Sequence, residues 1–365
     1  MEKMNAFFAI LKFIGIIIID LLYDIFYKLR WILLIGLFSL GVISYSYFRT
    51  PPVETIVHIK IPKQSRFKDV SDYLLNKGLI KSELLFKVFA KSTGYDRKIR
   101  FGEFKIPTPT NEYFISKTLL SAKPVQRKLT IIEGLRYSKV IPIIANTLEL
   151  DSNKLSDLAT DSVFLAQNGV YQNDIEGYLQ PETYYFNWGI TERDVLSDLI
   201  SRTKSVLNEH AEEIKKRNLT EYDILIMASI IQGECIYEDE MSQVSSVYWN
   251  RIRQGWKLGA DPTIQYFLDK PKRLLFSDLR IKHPYNTYIY KGLPPGPINN
   301  PGKAAIVAAI YPKETEYMFF VSDGKTGRHI FGKTAEEHER NKAGLKAARL
   351  KLWREKRKKA LQSKN

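Results

Sequence analysis

Cysteine occurs once, at Cys235, so no intrachain disulfide can form and a disulfide-stapled scaffold is excluded. The five histidines are scattered, and neither a CxxC pair nor an HExxH run is present, so no metal and no cofactor are expected. Acids are in deficit, 40 against 55 Lys and Arg, for a formal charge of +15. Residues 342–365 hold ten Lys and Arg beside one acid, Glu355, and account for most of that excess. The basic C-terminal tail, 343–365, reads as a solvated helical extension or, more sharply, as a patch attracted to an anionic polymer or lipid surface. No zinc-finger or RNA-binding signature accompanies it, so nucleic acid is not an expected partner. The 365 residues exceed what one core holds, and two globular units with accessory segments are expected.

Long uncharged runs are scarce too, and one stands out. Trp31–Phe48, WILLIGLFSLGVISYSYF, carries no charge over 18 residues and is bracketed by Lys28, Arg30 and Arg49. At 1.5 Å per residue it reaches about 27 Å, close to a hydrocarbon core of roughly 30 Å. Residues 29–49 are therefore read as a transmembrane helix in the lipid bilayer, retained because no cleavage box follows. Lys12, Asp20, Asp24 and Lys28 interrupt the apolar segment before it, so residues 1–28 read as an interfacial or cytoplasmic helix in preference to a second span. Lys3, Lys12, Lys28 and Arg30 favour a cytoplasmic N-terminus, a single pass through the cell membrane, and an exported remainder.

RTPPV at 49–53 reads as a stiff exit linker. TIVHIKI at 55–61 alternates like a strand, and two helical patterns follow, closed by Gly78 and Gly94. These make a small mixed module over 53–130. A weak echo 70 residues on, Ile61, Phe67, Val70 and Leu74 against Ile131, Tyr137, Val140 and Ile144, suggests two similar strand-helix units, with chance similarity the alternative. A larger domain spans 131–342. Residues 191–217 look helical, Thr220 and Asp223 form a helix-start signal, and a hairpin is expected at 317–322 and 329–333. Helices and strands segregate, which favours an α+β class.

Within that domain, ILIMASIIQGECIYEDE (224–240) ends an apolar run on Glu234. Ile224, Met227, Ala228 and Ile231 form one helical stripe, and Glu234 leaves the helix at its edge. Helix geometry alone leaves two readings: a helix-end glutamate paired with Arg251 or Arg253, or a desolvated carboxyl with a raised pKa, suited to general acid work. Cys235 reads as a small packed residue. Glu238, Asp239 and Glu240 read as first-turn charges of a second helix. LGADPTIQYF and HPYNTYIYKGLPPGPINNPGKAAI look poor for helix or strand, and could line a sugar cleft or form a proline-locked structural loop.

ASIIQGE, VSSVYWNRI, DPTIQY, YNTYIYKGLPPGPINNPGKAAI and YMFFVSDGKTGRHIF, in that order, resemble the catalytic domain of MltG-type (YceG-like) endolytic murein transglycosylases, with EGYLQPETYYF as the upstream motif. The resemblance implies a membrane-anchored lyase with a LysM-like module over 53–130 and a catalytic domain over 131–342. Such a lyase cleaves peptidoglycan glycan strands between N-acetylmuramic acid and N-acetylglucosamine, leaving 1,6-anhydro ends, with cell-wall synthases as partners. The family's catalytic glutamate falls on Glu234, acting as acid and then base. A second acid common two residues earlier is Gln232 here. Thr263, Gln265, Asn286, Thr287 and Tyr288 are candidates for holding the glycan or the developing charge, and Glu176 is a candidate at the cleft rim. A muramidase-like hydrolase and a non-catalytic wall-binding protein remain the alternatives.

Overall fold

The computed structural model describes residues 2–49, 53–268 and 270–346; most of the expected linker at 49–53 and of the basic tail at 343–365 lies outside the described residues. The chain divides into two compact units, Met1–Val125 and Gln126–Asn365.

The first unit begins with α1 (Glu2–Phe48), one helix with no break at residue 28. Within it Lys28 Nζ reaches Asp24 Oδ2 one turn back at 2.6 Å, an exposed pair along the helix. Ile18–Phe48 is the one stretch among the described residues long and apolar enough to cross a membrane, and none of its most apolar window is buried in protein. Two strands and three α-helices follow: β1 (Thr55–Ile61), α2 (Phe67–Asn76), α3 (Glu83–Thr93), β2 (Gly102–Thr108) and α4 (Glu112–Ser121), with a 3-10 turn at Tyr95–Arg97. β1 and β2 pair antiparallel from Thr55↔Thr108 to Ile61↔Gly102. Strand alternation turns Ile59 and Ile61 onto a core with Leu74, Phe86, Phe104 and Ile115. Gly94, at φ 81°, closes α3 in the left-handed conformation that its place in the sequence suggested.

The second unit starts with β3 (Gln126–Thr130), which pairs antiparallel with β4 (Thr183–Asn187). The last five residues assigned to the small module therefore belong to the larger unit. Between these strands lie α5 (Tyr137–Leu148), α6 (Ser152–Leu158) and α7 (Ser162–Gln167). The helical stretch expected over 191–217 is two helices, α8 (Glu192–Asn208) and α9 (Ala211–Lys216), which break at His210. Then come α10 (Glu221–Glu234), α11 (Glu238–Arg253), α12 (Asp261–Phe267), α13 (Lys303–Ile310) and a hairpin of β5 (Phe319–Ser322) and β6 (His329–Gly332), with 335–346 helical. α12 corrects the expectation that DPTIQYF is poor for helix: its proline sits in the first turn, where no helical N–H bond is lost. Separate two-stranded ladders among helices bear out the α+β class.

α10 is the centre of this unit. Its eight residues Ile224–Ile231 are all buried, so it has no single apolar stripe; protein covers every side. A capping box fixes its start: the Thr220 hydroxyl accepts from Asp223 N and the Asp223 carboxylate from Thr220 N. The proline-rich segment after residue 290 lies along the helix through a polar seam. Ile298 N donates to Ser229 Oγ at 3.0 Å, and Asn299 Nδ2 to the Ser229 carbonyl at 2.8 Å. Ser229→Ala leaves the Ile298 N–H buried without an acceptor, so a loss of about 1–3 kcal/mol is expected, read as a lower denaturant midpoint at unchanged slope.

Candidate active site

α10 ends on Glu234, and the chain turns extended at Cys235 (φ −98°, ψ 132°) before α11 starts. The preceding Gly233 permits a close approach: a Cβ there would lie 2.7 Å from Pro262 Cβ, so α12 packs directly against the helix end. From the third turn of α11, the fully buried Tyr248 donates its hydroxyl to Glu234 Oε1 at 2.7 Å. The carboxyl opens onto a cavity of about 670 Å³ walled also by Arg251, Asp261, Tyr288, Phe319, Phe320 and His329. Glu234 is partly exposed through that mouth and enclosed by protein elsewhere.

Desolvation raises the Glu234 pKa to about 7; the Tyr248 hydrogen bond and the Arg251 charge pull it down, and the Asp261 charge pushes it up. The ion pair with Arg251 or Arg253 that sequence left open does not form. Arg251 gives Nε to the Met318 carbonyl at 2.9 Å and Nη1 to the Leu258 carbonyl, while Arg253 Nη2 goes to Asn250 Oδ1. A carboxyl without a bonded cation, near half protonation at pH 7, can give up a proton and take one back. Burial, with the Glu234 and Glu240 charges, pushes the Cys235 thiol up to about 12, which keeps it protonated and inert.

Of the other sequence candidates, only Tyr288 reaches this cavity; its hydroxyl donates to Asp261 Oδ1 at 2.5 Å. Thr263 in α12, and Asn286 and Thr287 in the loop packed on it, are buried and bonded to protein. Asn286 Nδ2 serves the Leu279 and Ile281 carbonyls, Thr287 Oγ1 accepts from Ala260 N, and Thr263 Oγ1 lies 2.9 Å from Thr287 Oγ1. They hold Asp261 and Tyr288 in place. Gln265 bridges to Lys272 through both its amide atoms. Glu176 is not at a cleft rim: it is buried, accepting from Tyr137 N and Asn300 Nδ2, with Arg136 Nε 3.9 Å from Oε2. Gln232 Oε1 accepts from Gly302 N at 3.0 Å and lines a separate cavity with Glu133 and Lys303. Tyr248, Asp261 and His329 escaped sequence reasoning as site residues, and Arg251 was named only as an ion-pair partner for Glu234.

An α+β domain with a largely enclosed carboxyl at the end of its central helix, following one long apolar helix among the described residues, is the class that fold and site define. A family model described as the YceG-like family matches residues 59–344, and the chain belongs to that family. It is 31% identical over 323 residues to a Bacillus subtilis (strain 168) protein named endolytic murein transglycosylase, covering 83% of this chain and 89% of that one. A Streptococcus pneumoniae (serotype 2, strain D39) protein of the same name is 24% identical over 319 residues; 79% of this chain is covered, but only 58% of the relative. A solved structure of a yceG-like protein from Listeria monocytogenes aligns with a TM-score of 0.55 at 28% identity, covering 78% of this chain and 99% of that one.

Glu234 and Glu176 are both held above the ordinary carboxyl value of 4.5, to about 7 and about 8. The stability their protonated forms contribute is complete below about pH 4.5 and is lost as pH rises through the raised values. Glu234→Gln removes its share of that loss while keeping an acceptor for Tyr248. The variant is expected to exceed the wild-type chain in stability at pH 8 by about 2 kcal/mol more than it does at pH 5, measured by denaturant unfolding at both values.

Proposed function

We propose that this chain is a membrane-anchored endolytic transglycosylase of peptidoglycan, cleaving glycan strands between N-acetylmuramic acid and N-acetylglucosamine. The reading rests on family membership, the names of the relatives, and above all on one carboxyl poised near pH 7 in an open cavity. Tyr248 engages Oε1, so Oε2 is the oxygen left to carry the acid proton. Glu234 gives that proton to the glycosidic oxygen as the C1–O bond breaks. The resulting carboxylate then takes the proton of the sugar's own 6-hydroxyl as O6 bonds to C1. One carboxyl serves both steps and no water is consumed, whereas a glycoside hydrolase ordinarily uses a second carboxyl group.

Asp261 is the feature a hydrolytic reading would use, since it shares the cavity and could activate water. Its tie to the Tyr288 hydroxyl favours a structural and electrostatic part instead. Products separate the readings, because transglycosylation leaves anhydro ends and hydrolysis leaves reducing ends.

In this reading α1 anchors the chain in the cell membrane with its N-terminus in the cytoplasm. The small β1–α4 unit is a LysM-like module, and the larger unit acts on strands outside the membrane. Cell-wall synthases are the partners such a place implies, with termination of growing strands as the role. Strand binding by Tyr288 belongs to the same proposal.

The full chain in detergent micelles, incubated with uncrosslinked glycan strands, is expected to yield 1,6-anhydro ends by mass spectrometry. Glu234→Gln should reduce their formation by roughly 10²- to 10⁴-fold; intact strands, or reducing ends only, would defeat the reading. The acid form is depleted above about pH 7, so kcat should fall on the alkaline side. Tyr248→Phe removes a hydrogen bond that favours the charged form, and should move that alkaline limb to higher pH.

A further inference from the structure

Glu240 stands in the first turn of α11, where an acid ordinarily offsets the helix dipole from the surface. Here it turns inward, with 8% of its side chain exposed, and meets an equally buried His329 from β6. Oε2 lies 3.1 Å from His329 Nδ1, and Oε1 accepts from His329 N at 3.1 Å. Arg328 Nη1 sits 3.6 Å from the same carboxylate and 2.9 Å from Asp239. The imidazole is further fixed edge-on to Phe320 at 5.1 Å, and Phe320 in turn meets the Tyr248 ring at 5.7 Å.

A carboxylate only accepts, so Nδ1 must carry the ring proton that faces Glu240. The other nitrogen, Nε2, makes no hydrogen bond among the described residues, and His329 lines the Glu234 cavity. A neutral ring held in that tautomer presents Nε2 as a lone-pair acceptor at a surface where hydroxyl donors are the substrate's most abundant polar groups. We propose that His329 is a substrate-binding residue of the Glu234 cavity, its Nε2 accepting a hydrogen bond from a glycan hydroxyl, with Glu240 as the positioning residue that sets the tautomer. This rests on the glycan-cleaving reading but is tested by binding, not turnover.

The parent for the test is the full Glu234→Gln chain in detergent micelles, whose slowed cleavage is expected to preserve uncrosslinked glycan strands over the binding measurement. An asparagine amide overlies Nδ1 and a glutamine amide overlies Nε2, so adding His329→Asn removes the cavity-side contact while His329→Gln retains it. On the order of a tenfold weaker Kd is expected for Asn, and a change of less than about threefold for Gln. In the parent itself, with ¹⁵N-labelled histidine, the His329 Nε2 resonance is expected to move upfield as strands are added, a readout that needs no further substitution. Equal binding by all three chains, equal weakening by Asn and Gln, or an unmoved Nε2 resonance would overturn the proposal. His329-dependent binding by a chain whose wild-type form cuts no strands would sink the proposed reaction and leave this contact standing.

Discussion

The rest of the larger unit depends on one constraint: a carboxyl must sit at the end of a helix that is buried on every side. Burial from Ile224 to Ile231 fixes α10 rigidly, so Glu234 has little freedom to swing toward water. Enclosure favours the proton, and the neighbours that favour the charged form only partly offset it. Tyr248 supplies one neutral donor, Arg251 is spent on backbone carbonyls, and Asp261 adds a like charge nearby. A bonded arginine in place of that arrangement would hold the group ionised and useless as an acid at neutral pH. The folded chain bears a stability cost at this position as pH rises, as expected where a site is tuned for chemistry instead of packing.

The close approach of α12 serves the same constraint. Gly233 lets Pro262 pack against the helix end, and the buried Thr263–Thr287–Ala260 bonds hold the segment that carries Asp261. The proline-rich segment closes over the other side of α10 through Ser229 and Gln232. Both loops spend their side-chain polar groups on their own and neighbouring backbone, as buried irregular chain must.

Much of this was legible in the sequence and some was not, for identifiable reasons. Local signals were reliable: the Thr220 capping box, the Gly94 stop, the strand alternation at 55–61 and the hairpin ending in β6 all stand where spacing put them. Glu234 itself could be singled out because it follows an apolar run. What one chain segment cannot reveal is its long-range partner. Glu240 looked like a capping acid until β6, 89 residues on, delivered His329 to it. Thr263, Asn286 and Thr287 looked like ligand contacts because polar residues in a proline-rich loop read the same whether they face a sugar or their own backbone.

The most direct measurement is a titration of the Glu234 carboxyl carbon by NMR in the full chain, identified by its absence in Glu234→Gln. A midpoint near pH 7 is expected if enclosure at the helix end sets the protonation of the site. A midpoint near the ordinary 4.5 would show a solvated carboxylate at neutral pH and contradict the acid role on which the proposed chemistry depends.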